Sequence, residues 1–225
     1  MANGFTFYRG PSMLNRLPVR LVCSGILEPR RNRKTGPMVQ FSALPDDKPP
    51  ATIEDILAGC GDCKIKRLCY VDRSKAPYQQ WKQDYPDYNP RKDAHLLRLY
   101  PHRYCMFGDP ASIPAYVWKI IRRESKGHTG YTQQWEKPRF QHLKSWLMAS
   151  CHNLEQKDKA ESMGWKPYVI TDSVLDGMKQ CPYQKSEGAI RCAHCLLCDG
   201  NHGTIQITKH GSPSKLSHWE ATQAV

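Results

Sequence analysis

The chain has 225 residues and a formal net charge of +12, from 33 Lys and Arg against 21 Asp and Glu. That length supports one sizeable core or two small domains, and no run of apolar residues reaches the length needed to span a membrane. The positive excess favours polyanionic partners, nucleic acid first among them, over acidic or neutral surfaces.

Residues 1–50 read as largely irregular. Met1–Gly10 has no apolar run, and Arg9 follows Phe5, Phe7 and Tyr8, so it is not a secretory leader and a reducing cytoplasm is the expected setting. Thr35-Gly36-Pro37 marks a turn, and Met38–Leu44 is predicted as a strand with Ser42 near its end. Thr52 and Asp55 make a capping box for a helix over 53–58 that Gly59 stops. Residues 76–93, rich in Pro, Tyr and Asp, read as an excursion. Leu96–Leu99 is predicted as a strand that Tyr104–Phe107 extends. Ser112 and Pro114 then open a helix with Tyr116, Val117, Ile120 and Ile121 on its apolar face. Further strands are expected over 128–134, 144–150, 166–171 and 204–209. A helix over 154–163 capped by Asn153 and a short one after Asp172 lie between them.

This alternation predicts an α/β fold, a partial or reduced (β/α) barrel-like domain over 1–212 with a loose tail over 213–225. In such folds chemistry collects at the carboxyl ends of strands. Ser42, Asp109, Cys151-His152 and Asp172 are the polar residues expected there. No glycine-rich dinucleotide fingerprint, phosphate-loop lysine motif or nucleophile elbow is present.

The most specific signal is Cys192-x₂-Cys195-x₂-Cys198 with Cys181 upstream. In a reducing compartment this spacing predicts a Cys₄ zinc knuckle within 181–200, with an iron–sulfur cluster as the alternative. A second group, Cys60-x₂-Cys63-x₅-Cys69, offers three thiols for a further metal ion or an iron–sulfur cluster; its spacing is not the C-x₃-C-x₂-C of radical S-adenosylmethionine enzymes. Cations crowd residues 1–36 and recur at Lys64, Lys66, Arg67, Lys119, Arg122 and Arg123. Aromatics stand between them at Tyr78, Trp81, Tyr85, Tyr88, Tyr100 and Tyr104. Cations for phosphates and flat rings for bases suit DNA with a flipped or unpaired base.

Three segments, Phe107-Gly108-Asp109-Pro110-Ala111-Ser112-Ile113-Pro114, His128-Thr129-Gly130-Tyr131-Thr132-Gln133-Gln134-Trp135 and the Cys192–Gly200 run, together resemble a family of small, uncharacterised bacteriophage-encoded proteins over roughly residues 36–212. That resemblance implies the cytoplasm of an infected bacterial host. The chain is also similar to tRNA-guanine transglycosylases, whose phage relatives insert 7-deazaguanine bases into DNA. It departs from them in its length and in a C-x₂-C-x₂-C knuckle where they have C-x-C-x₂-C and a histidine; His202 or His210 could take the fourth position here. The implied activity is a base exchange in which an aspartate attacks the sugar carbon, guanine leaves DNA and a 7-deazaguanine enters. On that reading Asp109 is the nucleophile and Asp72 the second acid. Ser42, His128, Tyr131 and Gln134 hold the base, and zinc sits on Cys181, Cys192, Cys195 and Cys198. A non-catalytic, zinc-stapled nucleic-acid-binding protein and an iron–sulfur nucleic-acid-modifying enzyme are the alternatives. Asp109 and Asp72 facing one pocket would favour the enzyme.

Overall fold

A computed structural model describes residues 2–29, 32–66, 69 and 71–209. Nine strands form one sheet whose spatial order nearly follows the chain: β1 (Gly4–Pro11), β2 (Pro18–Ser24), β3 (Val39–Pro45), β4 (His102–Phe107), β5 (His128–Thr132), β6 (Met148–Cys151), β7 (Pro167–Thr171), then β9 (Ile205–Thr208) and β8 (Lys179–Gln180). β1–β2–β3 pair antiparallel, and every pairing from β3 onward is parallel. The expectation of an α/β chain holds, but the sheet is open rather than a closed barrel.

The first 50 residues are not irregular. β2 has Val19, Leu21, Val22 and Cys23 buried on both of its faces. Arg20 hides the pattern, and its burial is made tolerable by the Trp81 carbonyl, by Asp46 at 3.8 Å and by the Trp81 ring 5.8 Å away. Leu96 and Leu97 belong to a helix, not a strand. The helices α1 (Leu57–Cys60) and α2 (Ala76–Trp81) precede α3 (Pro90–Leu97). Asn89 starts α3 by accepting the Arg91 N–H while Asp93 accepts the Asn89 N–H, and Pro90 sits where no N–H is needed. The strand expected over 144–150 is present as β6 from Met148, with 3₁₀ helix over Pro138–Ser145 before it, and the short helix expected from Asp172 to Met178 does not form. The tail from residue 210 onward lies outside the described residues. Among those residues no helix is long and apolar enough to cross a membrane.

Two features position the carboxyl ends of the first parallel strands. β4 carries a bulge: three residues of β3 (Gln40 to Ser42) face five of β4 (Arg103 to Phe107), and Cys105 within it has φ 51°. Gly59 and Gly108 both press on Ala43 of β3. A Cβ at either would stand 2.3 and 2.5 Å from the Ala43 carbonyl oxygen, so only glycine lets α1 and the end of β4 meet β3 there. Trp118 of α4 (Ala115–Arg123) donates to the Pro110 carbonyl at 2.9 Å and holds the turn after Asp109 against the core.

Candidate functional site

At the carboxyl edge of β3 and β4 the chain assembles a cluster of thiols around one buried acid. The Gly59 carbonyl accepts the Asp109 N–H at 2.7 Å, which locks α1 beside the turn after β4. Cys60 closes α1, and its sulfur accepts the Gly108 N–H. The Cys63 sulfur accepts the Ile65 N–H, and the Cys105 sulfur on the β4 bulge accepts the Ala43 N–H. Cys60, Cys63 and Cys69 are close enough to oppose one another's ionisation, and Cys60, Cys63 and Cys105 also sense Asp109. Burial pushes the Cys60, Cys63 and Cys105 thiols up, Cys63 to about 12, so without a metal these three are protonated at neutral pH and are poor nucleophiles.

Asp109 is 5% exposed, and both of its oxygens are engaged. Oδ1 accepts the Ala111 N–H at 2.9 Å and the Thr132 hydroxyl at 2.8 Å; Oδ2 accepts the Gln133 N–H at 2.7 Å. Burial outweighs these bonds and pushes the carboxyl up to about 6. Asp109 therefore ties the end of β4 to the end of β5. Asp72 is elsewhere: half-exposed, it accepts from Ser74 at 2.7 Å and pairs with Lys75 at 3.4 Å. The two carboxylates do not share partners, and Asp109 is not open to a substrate.

The other expected base-holding residues divide. Ser42 lies in the middle of β3 rather than at its end and is buried with an Oγ that makes no hydrogen bond, and Gln134 is buried just beyond β5. His128 opens β5 at the opposite edge, stacked on Tyr104 with its Nε2 2.9 Å from the Trp146 carbonyl. Tyr131 turns to the other cysteine group, where its hydroxyl meets Cys198. Asp172 is exposed and pairs with Lys209. In their place stand Gln133 and His152, bonded to each other at 2.8 Å, with Gln133 also donating to Ser150 at 2.7 Å. His152 was marked by its place after β6; Gln133 was overlooked beside Gln134 because a one-residue shift at a strand end changes which face a side chain takes. Lys64 lies near enough to His152 to hold its imidazole down, to about 4, together with burial, the larger cause.

The second cysteine group forms its own centre. Cys181, Cys192, Cys195 and Cys198 all line one cavity of about 20 Å³ with Tyr131 and Tyr183. His202, offered as a ligand by the resemblance, is exposed and paired with Asp199 at 2.9 Å. The ten cysteines form no disulfide. Among the described residues no three Cys, His, Asp or Glu side chains stand as a preformed metal cage. No known protein family, curated protein or solved structure matches the chain.

Proposed function

We propose that this protein is a nucleic-acid-modifying enzyme whose reaction centre is the thiol group at the carboxyl edge of β3 and β4, with Cys60, Cys63 and Cys69 holding an iron–sulfur cluster. The observation that carries this is the convergence of a cysteine loop, a bulged strand and a buried acid at the carboxyl edge of a parallel sheet, where ligands of open α/β folds bind. The donor set fits the group: soft thiols from one short loop, with N–H groups aimed at the sulfurs. Three cysteines leave one iron open to a small molecule, which is the chemistry such a cluster supplies. Asp109 ties the strand ends beside these thiols together, and Gln133, Ser150 and His152 form a polar network suited to the edge of a base. Lys64 and Lys66 follow Cys63 directly and, with the overall charge of +12, attract the phosphate backbone.

Base exchange through an aspartate is the second reading, supported by the placement of Asp109 just past the carboxyl end of β4. It is the weaker one because the Asp109 oxygens are spent on Ala111, Thr132 and Gln133 and because Asp72 stands apart. Anaerobic reconstitution with iron and sulfide separates the two. The wild-type chain should take up both and turn brown, and the triple variant Cys60→Ser, Cys63→Ser, Cys69→Ser should not. Equal iron in both proteins would remove the cluster from these cysteines. Release of labelled guanine from DNA by iron-free protein would restore the base-exchange reading.

A further inference from the structure

The four cysteines of the second group are supplied by different parts of the chain. Cys192 and Cys195 begin and end α7 (Cys192–Cys195), one turn of helix. Leu196 follows with φ 51°, which reverses the chain so that Cys198 returns to the same cavity. Cys181 precedes α6 (Pro182–Lys185), and its N–H donates to the Gln206 carbonyl on β9 at 2.8 Å. The Cys198 carbonyl accepts the Gly130 N–H of β5 at 2.9 Å. The first N–H groups of α7 reach back to the start of the chain: Cys192 donates to Lys34 at 3.2 Å and Ala193 to Thr35 at 2.8 Å. The Asn32–Gly36 turn, β5 and β9 therefore meet at this one cavity.

We propose that the cavity is a structural zinc site, a mononuclear Cys₄ centre that clamps the Asn32–Gly36 turn to the second half of the sheet. A cavity of about 20 Å³ has room for roughly one water-sized sphere, which suits a single ion. All four donors are thiols, the set that selects zinc or iron in tetrahedral geometry. Surroundings typical of ligand sulfurs are present. The Leu197 N–H donates to the Cys195 sulfur, and the Tyr131 hydroxyl donates to Cys198. The charge of a tetrathiolate is offset by Lys34 and Arg103 beside Cys192 and by Lys179 beside Cys195. Each cysteine that binds gives its proton to solvent as zinc enters, with no change in the oxidation state of zinc or sulfur.

The test uses the full chain carrying Cys60→Ser, Cys63→Ser and Cys69→Ser, so that the count refers to this cavity alone and is independent of the iron–sulfur reading. After purification with added zinc chloride, one zinc per chain is expected, with four sulfur neighbours at about 2.3 Å by X-ray absorption. Tyr131→Phe should keep one zinc but bind it about 10- to 100-fold more weakly, the usual cost of losing a partner of a ligand. Chelation should speed hydrogen exchange at the Cys192 and Ala193 amides, which hold the Asn32–Gly36 turn. Iron in place of zinc, nitrogen or oxygen neighbours in the absorption spectrum, or amide exchange indifferent to chelation would each overturn the proposal.

Discussion

Asp109 shows how one side chain can look catalytic in a sequence and act as a tie in the fold. A charged carboxylate with three donors cannot be replaced isosterically by an amide: the Asn amide NH₂ would face either the Gln133 N–H or the Ala111 and Thr132 donors. Asp109→Asn is expected to lower stability by about 1–3 kcal/mol, the cost of a buried unsatisfied donor, measurable as a reduced urea midpoint at unchanged m. His102 provides the pH dependence. It is fully buried, its Nε2 meets the Leu97 carbonyl at 2.9 Å, and burial lowers its pKa from 6.5 to about 4. Between those values the unfolded chain binds a proton that the folded chain refuses. The stability from a neutral His102 is thus complete above pH 6.5 and lost as the pH falls toward 4, by about 3 kcal/mol. Urea titrations at pH 7 and pH 4.5 should show the loss in the wild type and a smaller one in His102→Phe.

At the scale of elements, legibility followed how local the cause was. The helix α5 (Leu154–Ser162) was expected from Asn153, whose side chain accepts the Gln156 N–H at 2.9 Å, and β7 was expected from its apolar run. Both causes lie within a few residues. The capping box at Thr52 and Asp55 also formed, although the helix itself begins only at Leu57. β2 was missed because Arg20 interrupts its apolar pattern and is neutralised by Asp46 and Trp81, which are distant in sequence. α3 was misread although its Asn-Pro start carried a local signal. The candidate site was half legible: its cysteines and Asp109 stood out, but their meeting depends on Gly59 and Gly108 against Ala43, which spacing alone does not reveal. Gly108→Ala tests that contact. With φ 80° and a Cβ 2.5 Å from a carbonyl oxygen, the variant should lose about 1–3 kcal/mol and expose Cys60 and Cys63 to faster labelling by a thiol reagent.

For the whole molecule, the charge of +12 makes a collective statement that no single residue makes. Affinity for single-stranded DNA is expected to fall linearly with the logarithm of salt concentration, with the slope counting the phosphates neutralised. A filter-binding series across salt concentrations measures it. The spatial order of the sheet has a further consequence, for the timing of folding. From β1 to β7 each strand lies beside its neighbour in the chain, so apart from the long connection between β3 and β4 these pairings close comparatively short loops and can form progressively as the chain emerges. The Asn32–Gly36 turn follows a different schedule. Its carbonyls find the Cys192 and Ala193 amides only after nearly all of the described chain has been made. A nascent chain halted before α7 would thus carry most of its sheet but not this long-range contact, which leaves the knuckle as a late checkpoint on a chain that otherwise assembles in order.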